Sequence, residues 1–157
     1  MEEARDYQLA EHLIAHLMQD EVINDLVCGS VWDEQDQVDA LQRVALGKPG
    51  SIAVTPAGFV PLLESGVQAP MVRLYAVLAV SCFVRASGAM PGGITSLRYL
   101  SRLTGRLLHL LRNWDPVMER ICYDAPSVAS VEDYDMSKSK LTGMRGKAVI
   151  LYAPVNF

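Results

Sequence analysis

One segment of this 157-residue chain, residues 95–114, constrains the fold more than any other. When its residues are placed at about 100° intervals around a helix, apolar side chains fill one wide side and basic side chains share about a third of a turn. The basic side chains are Arg98, Arg102, Arg106, His109 and Arg112. This pattern is typical of a helix that packs its leucine side on a sheet and leaves its basic side for a second surface or for solvent.

Segments of β type flank this helix. Residues 71–86 alternate between an almost wholly apolar set and a mixed set, which predicts a central strand covered on one face and partly covered on the other. Residues 51–54 predict a short strand, and the prolines and glycine of residues 56–61 predict a loop or an edge segment. After the helix, residues 119–123 with 128–131, and residues 146–155, are of β type. The polar stretch 132–143 between them predicts a long mobile hairpin tip.

Further helices are predicted before these strands. Residues 2–20 place apolar side chains at helical spacing, namely Leu9, Ala10, Leu13, Ile14, Leu17 and Met18. Residues 22–32 have an irregular or strand-like pattern, and residues 35–46 predict a short helix that ends at Gly47 and Pro49. The predicted order α-β-α-β-β-α-β-β describes one α+β domain over residues 1–157. In it, a mostly antiparallel sheet packs against the long helix and the N-terminal helix.

The composition narrows the class of protein. Half of the residues are hydrophobic and 20% are charged, which argues against disorder and supplies apolar surface for a core. The longest apolar stretch, residues 74–84, is about half the length of a bilayer-spanning helix, so no membrane anchor is predicted. The acidic N-terminus lacks the features of a secretory signal, and we expect a protein kept in the cytoplasm. Cys28, Cys82 and Cys122 are widely spaced and predict buried free thiols.

The net charge of −4 conceals an asymmetry along the chain. Residues 1–66 carry 12 acidic and three basic side chains, whereas residues 67–157 carry six acidic and 11 basic ones. The two halves can neutralise each other within one domain, or they can orient neighbouring copies head to tail. Charges scattered over solvated surfaces remain the alternative explanation.

No motif predicts catalysis. His12 and His16 have the spacing of a helical metal pair, but they lack a third ligand and the glutamate of a metalloprotease motif, which favours structural or solvated histidines. The glycine-rich segments 47–51 and 91–93 lack phosphate-loop spacing and predict turns. The acidic residues 132–135 follow no known calcium-loop pattern. No nucleophile elbow is present. We therefore predict a protein that is not an enzyme and that has no cofactor or metal.

Gly105 lies in the middle of the basic side of the long helix. An alanine there would stabilise the helix by roughly 1 kcal/mol, so a glycine indicates close approach by another backbone. Arginine binds carboxylates through two parallel hydrogen bonds, which suits an interface with an acidic surface. The predicted subunit or partner contact consists of Arg98, Arg102, Gly105, Arg106, His109 and Arg112. A face that is simply exposed to solvent is the alternative to this contact. Binding to nucleic-acid phosphates is a second alternative, which is less favoured because the chain is acidic overall.

Four segments carry a resemblance to a known family. They are the N-terminal helix ending near LMQDEV, the strand MVRLYAVLAVSCFVRA, the turn and helix GGITSLRYLSRLTGRLLHLLRNW, and the closing KLTGMRGKAVILYAPV. In its size, in the order of its predicted elements and in the local residue pattern of these four segments, the chain resembles the tail terminator, or tail completion, proteins of long-tailed bacteriophages. That family includes small uncharacterised tail-operon proteins of Mu-like contractile phages. The resemblance covers nearly the whole chain and involves no invariant signature.

The resemblance implies a structural protein of the virion that forms a hexameric ring. Such a ring caps the finished tail tube, joins it to the head–tail connector at the neck, and is assembled in the host cytoplasm. Its expected partners are further copies of itself, the tail tube and sheath proteins, and connector or neck proteins, with DNA passing through without sequence-specific binding. A head-completion or neck adaptor that contacts DNA is one alternative. A small ligand-binding module or enzyme, with a site built from residues distant in sequence, is another.

Overall fold

The computed structural model describes residues 5–27, 31–32, 49–63, 72–86, 90–118, 120–133 and 144–155. Three helices and five strands lie in these ranges. In chain order they are α1 (Arg5–Met18), α2 (Glu21–Val27), β1 (Val31–Trp32), β2 (Gly50–Leu63), β3 (Val72–Arg85), α3 (Ser96–Arg112), β4 (Ser127–Asp133) and β5 (Met144–Pro154). A 3-10 turn, Pro91–Gly93, precedes α3. The α+β class is therefore confirmed, and the predicted helix 35–46 falls outside the described residues.

The strands form one sheet in the order β1-β2-β3-β5-β4. The pairs β2–β3, β3–β5 and β5–β4 are antiparallel, whereas β1 pairs in parallel with two residues of β2. The mostly antiparallel sheet is thus confirmed. Strand β3 lies in the middle with hydrogen-bonded neighbours on both sides, as its alternating apolar pattern predicts.

One face of the sheet is covered by helices. Helix α1 packs on β2 and β3, and α3 packs on β3 and β5. The sheet side chains beneath them are fully or almost fully buried and include Ile52, Val54, Leu78, Val80, Cys82, Val149 and Leu151. Helix α1 contributes Leu9, Leu13 and Leu17 to the same core. Burial of this surface is the main source of stability for a two-layer fold.

The opposite face of the sheet is covered only in part. Ser81 and Phe83 on β3 are buried, whereas Tyr75 and Ala79 further along the same face of that strand are half-buried. Tyr75 lies beside Tyr152 of β5, with ring centroids 6.3 Å apart. The prediction of one covered and one partly covered face is therefore confirmed.

The structure corrects the first part of the prediction for residues 22–32, whereas Val31 and Trp32 form the short strand β1. Residues 21–27 form helix α2 instead of an irregular or strand-like segment. Asp20 begins this helix, because its carboxylate oxygen Oδ2 accepts a hydrogen bond from the backbone N–H of Ile23 at 2.9 Å. An N-cap aspartate followed by an acid in the first turn outweighs the weak strand preference of Val22 and Ile23. The N-terminal helix ends at Met18, about two residues before its predicted end, and Met18 is 50% exposed, while residues 2–4 of the predicted helix lie outside the described residues.

Two strand predictions were also wrong in detail. Strand β2 is much longer than the predicted short strand 51–54, and residues 56–61 continue it as an edge segment that pairs with β3 alone among the described strands, with a register shift between Pro56 and Phe59, so the alternative of a loop was wrong. The prolines fit because β1 pairs only with Ile52 and Ala53, so the rest of β2 needs no donor on that side among the described strands. Residues 120–123 form turns with one isolated bridge from Cys122, and β4 begins only at residue 127. Of the predicted hairpin tip, residues 134–143 lie outside the described ranges.

None of the described helices combines the length and the hydropathy needed to cross a membrane. Cys82 and Cys122 are buried free thiols, as predicted, while Cys28 lies outside the described ranges. Burial raises the pKa of Cys82 to about 12 and that of Cys122 to about 11. Both side chains therefore pack as small apolar groups and not as reactive thiolates.

Candidate subunit interface on the long helix

Helix α3 is fixed at its N-terminus by a glycine turn and a cap. Gly92 and Gly93 have φ angles of 80° and 70°, a region that glycine adopts without strain. Thr95 then accepts a hydrogen bond from the backbone N–H of Arg98 at 3.3 Å and is the N-cap of the helix. On the buried side of the helix, the hydroxyl of Tyr99 donates a 2.7 Å hydrogen bond to the carbonyl oxygen of Leu26. The orientation of α3 about its axis is thereby defined.

The outer face of α3 carries most of the predicted contact. Arg98, Arg102, Gly105, His109 and Arg112 are all exposed, and we call these five residues the basic row. The row extends over about 21 Å at the α-helical rise of 1.5 Å per residue. The side chains of its three arginines make no ion pair or hydrogen bond with any described residue. Leu97 beside the row is 58% exposed. This face is thus positively charged, partly apolar and without a partner in the described chain.

Arg106 differs from the other predicted contact residues because it binds within the chain. Its Nε and one terminal nitrogen donate hydrogen bonds to the two carboxylate oxygens of Asp20 at 3.0 and 2.6 Å. This two-point geometry is the one that favours arginine at carboxylates. The hydrogen bonds from Arg106 lower the pKa of Asp20. Arg106 therefore ties the start of α2 to α3 within one chain, whereas the arginines of the basic row have no such ion pair among the described residues.

Gly105 lies in the middle of the basic row. A methyl group built on its α-carbon meets no atom of the described chain within 4 Å, and its backbone angles are helical. The fold of the described chain therefore gives no reason for a glycine at this position, although glycine costs a helix roughly 1 kcal/mol relative to alanine. By contrast, a methyl group on Gly50 would lie 3.2 Å from the carbonyl oxygen of Leu26. Gly50 is explained by packing within the chain, and Gly105 is not.

The two histidines of α1 join this helix to the end of α3. Nδ1 of His12 accepts a 2.8 Å hydrogen bond from the indole N–H of Trp114. Nε2 of His16 donates to the carbonyl oxygen of Leu110 at 2.9 Å, an oxygen that also accepts the backbone N–H of Asn113 at the C-terminus of α3. Each histidine thus has a separate partner, and among the described residues no three potential ligands lie close enough to hold a metal ion.

A groove runs between the C-terminal half of α3 and the edge strand β4. Its volume is about 440 Å³, and its lining is mostly apolar. The lining residues are Leu108, Leu111, Arg112, Trp114, Pro126, Val128, Val131 and Leu151. Val128 and Val131 are 43% and 44% exposed. Because α1 and α3 cover the sheet only as far as β5, the apolar face of β4 is left open, and we call this feature the α3–β4 groove.

The sequence pattern gave no indication of this groove. Val128 and Val131 are three residues apart, so simple alternation would place them on opposite faces of a strand. A register shift between Val128 and Ser130 brings both onto the same face, opposite Leu151 and Val149 respectively. A residue that favours a β-bulge would have been needed to predict that Val128 and Val131 share one face. Ala129, which lies between them, is not such a residue.

The other sequence candidates have structural explanations. Pro91–Gly93 forms the turn before α3, and Gly50 begins β2, while Gly47 and Lys48 of the first glycine-rich segment lie outside the described residues. Asp133, at the end of β4, accepts a 2.8 Å hydrogen bond from Lys147 of β5, which lowers its pKa. This exposed pair is an ordinary cross-strand contact.

No family model matches this chain, and no curated protein matches it significantly. The function is therefore inferred from the surface of the described chain, and above all from the basic row.

Proposed function

We propose that this chain is a structural subunit of a phage tail or of a related contractile injection machine. In this proposal the subunits form a hexameric ring that caps the tail tube and joins it to the head–tail connector. Its partners are further copies of the chain, tube and sheath proteins, and neck proteins. The resemblance of the sequence to tail terminator proteins suggests the kind of assembly. The basic row is a surface through which one subunit can contact another.

The observation that carries this proposal is the open space over Gly105 among unpaired arginines. A solvated helix face gains nothing from a glycine, whereas a face against which another chain packs needs a short residue at the closest point. Arginines without internal partners are suited to bind carboxylates of that chain. The acidic half of the sequence provides such carboxylates on each copy.

The test is the mass and shape of the purified protein. Light scattering after size exclusion, together with negative-stain images, should show closed rings at high protein concentration. The double variant Arg98→Glu with Arg102→Glu should reduce the ring fraction strongly. Arg145→Glu, which reverses an exposed arginine on β5, is the control and should assemble normally. A protein that remains monomeric at every concentration, or a double variant that assembles like the wild type, would contradict the proposal.

A neck adaptor that contacts DNA is the second candidate, and the same three arginines favour it. Cations spaced along one helix face can bind successive phosphates. This function predicts retention on duplex DNA that weakens steeply with salt. Replacing Arg102 by Gln should then weaken binding to all sequences and reduce the salt slope by about one. Retention that is absent at low salt would exclude this candidate.

A further inference from the structure

The α3–β4 groove has the properties of a docking site. Its two walls are apolar, with Leu108 and Leu111 on the helix and Val128 and Val131 on the strand. Arg112 lies at the rim and pairs with no described residue. An occupant that fits this site therefore presents a small apolar ridge with a carboxylate beside it.

The corner between α1 and α2 has the complementary composition. Met18 and Val22 are 50% and 46% exposed, and Glu21 between them is exposed too. We call these three residues the acidic corner. Exposed apolar side chains of this size, flanking a carboxylate, match the apolar walls and the basic rim of the groove.

The acidic corner is also held rigidly before any contact forms. The side-chain amide of Asn24 donates a 2.7 Å hydrogen bond to the carbonyl oxygen of Met18. The N–H of Asp20 donates to the carbonyl oxygen of Leu17 at 3.1 Å, and the Asp20 carboxylate is bound by Arg106. A surface that is already ordered loses little conformational entropy on binding, which favours its use as a contact.

The groove and the corner lie on opposite sides of α3. Helix α3 packs on β3 and β5, so the groove beside β4 lies on one side of it, whereas α1 packs on β2 and β3 and the Asp20–Arg106 ion pair holds the corner against its other side. Two complementary surfaces on different sides of a subunit produce a head-to-tail contact, and repetition of that contact closes a ring when the rotation between copies permits. A surface that binds a copy of itself would instead close a dimer.

We infer that the α3–β4 groove of one subunit receives the acidic corner of a second copy of this chain. Met18 and Val22 of one copy pack on Val128 and Val131 of the next, and Glu21 binds Arg112. The closure of these contacts into a ring depends on the proposed function, whereas the contact itself depends only on the chemistry of the two surfaces.

Engineered cysteines test the contact directly. Val22→Cys and Val131→Cys are made as separate proteins, mixed, and oxidised mildly, and the product is measured by mass spectrometry. We expect a disulfide between the two variants, because its formation requires α-carbons within about 7 Å. Phe59→Cys is the control, since Phe59 is an exposed apolar residue on the far part of β2 and should not cross-link to Val22→Cys. A Val131→Cys dimer in place of the mixed product would indicate pairing of two β4 edges and would overturn the inference.

Charge reversal tests the polar part of the contact. Arg112→Glu and Glu21→Arg should each weaken self-association by about tenfold in sedimentation, because each replaces an attraction with a repulsion. An equimolar mixture of the two variants should recover association through the restored pair. Arg145→Glu, with the same change in charge, should behave like the wild type. Failure of the mixture to recover, after both single losses, would overturn the assignment of Glu21 and Arg112 as partners.

The outcomes separate this inference from the proposed function. Specific cross-linking without rings retains the contact and refutes the ring-forming function. Rings that form without cross-linking retain the function and overturn the contact. A monomer that gives no cross-link at any concentration overturns both.

Discussion

Substitution of Gly105 provides the sharpest test of the structure. A side chain at this position is expected to stabilise folding, which is tested with alanine, and to impair assembly, which is tested with the longer glutamine. The residue lies inside α3, is exposed, and has no described atom within 4 Å of the position of a new methyl group. The change therefore adds helix propensity without a clash. We expect the free energy of unfolding to rise by roughly 1 kcal/mol. For a domain of this size, that gain corresponds to an increase of about 2–4 °C in the melting temperature.

The folding effect is measured by calorimetry on dilute protein, where self-association does not contribute. Ser101→Ala is the matched control, since Ser101 is also exposed on α3 and already carries a β-carbon. It should stabilise less than Gly105→Ala, because serine is a better helix former than glycine. A melting temperature that falls in Gly105→Ala would refute the conclusion that the fold itself does not need this glycine.

Assembly is measured on a longer side chain at the same position. Gly105→Gln adds a flexible polar group that open solvent accommodates, and glutamine is also a good helix former, so the melting temperature of dilute protein should rise almost as much as in Gly105→Ala. If another chain packs on the basic row, the same group blocks that contact and rings should be lost. Rings that form normally from Gly105→Gln would place the contact elsewhere and make the glycine incidental.

Three further predictions concern the interior of the subunit. Asp20→Asn keeps the N-cap of α2 and loses the ion pair with Arg106, whereas Asp20→Ala should cost about 1 kcal/mol more in urea unfolding, since it also loses the cap. Because the pKa of Asp20 is lowered from 3.8 in the folded state, its stabilisation is complete above that value and disappears as the pH falls further. The stability gap between wild type and Asp20→Asn should therefore close at low pH, and a constant gap would refute the ion pair. Gly50→Ala should destabilise by about 1–3 kcal/mol, because the methyl group would lie 3.2 and 3.3 Å from two carbonyl oxygens. In peptide-resolved alkylation, Cys82 and Cys122 should react only after unfolding, and fast labelling of either in native protein would contradict its burial.

Periodic patterns in the sequence were reliable guides to the long elements. The helix predicted from residues 95–114 runs from Ser96 to Arg112. Strand β3 occupies nearly the whole predicted range, with its apolar set beneath the helices. In both cases many residues on one side of the element are buried, so the apolar pattern extends over a long segment of the sequence and can be recognised there.

Short or irregular elements were not predictable in the same way. Helix α2 has seven residues, so its pattern is too brief to outweigh three β-branched residues, and its N-cap at Asp20 was the only strong local signal. Strand β2 tolerates prolines because its neighbour β1 is short, which is a property of the sheet and not of the segment. Likewise, Arg106 appeared equivalent to the other basic residues of α3 until the fold brought Asp20, 86 positions away, to its guanidinium.

The basic row and the α3–β4 groove meet at Arg112, which ends the row and also lines the groove. A neighbouring corner seated in the groove would therefore lie beside the C-terminal half of the row, and Gly105 is two helical turns before Arg112. If one neighbour occupies both features, Gly105→Gln should reduce the cross-link between Val22→Cys and Val131→Cys along with ring formation. Loss of rings with an undiminished cross-link would instead show two separate contacts, one in the groove and another on the row. Ring formation would then require both contacts, and the unpaired arginines of the row would require the surface that binds there to be acidic at the site of contact.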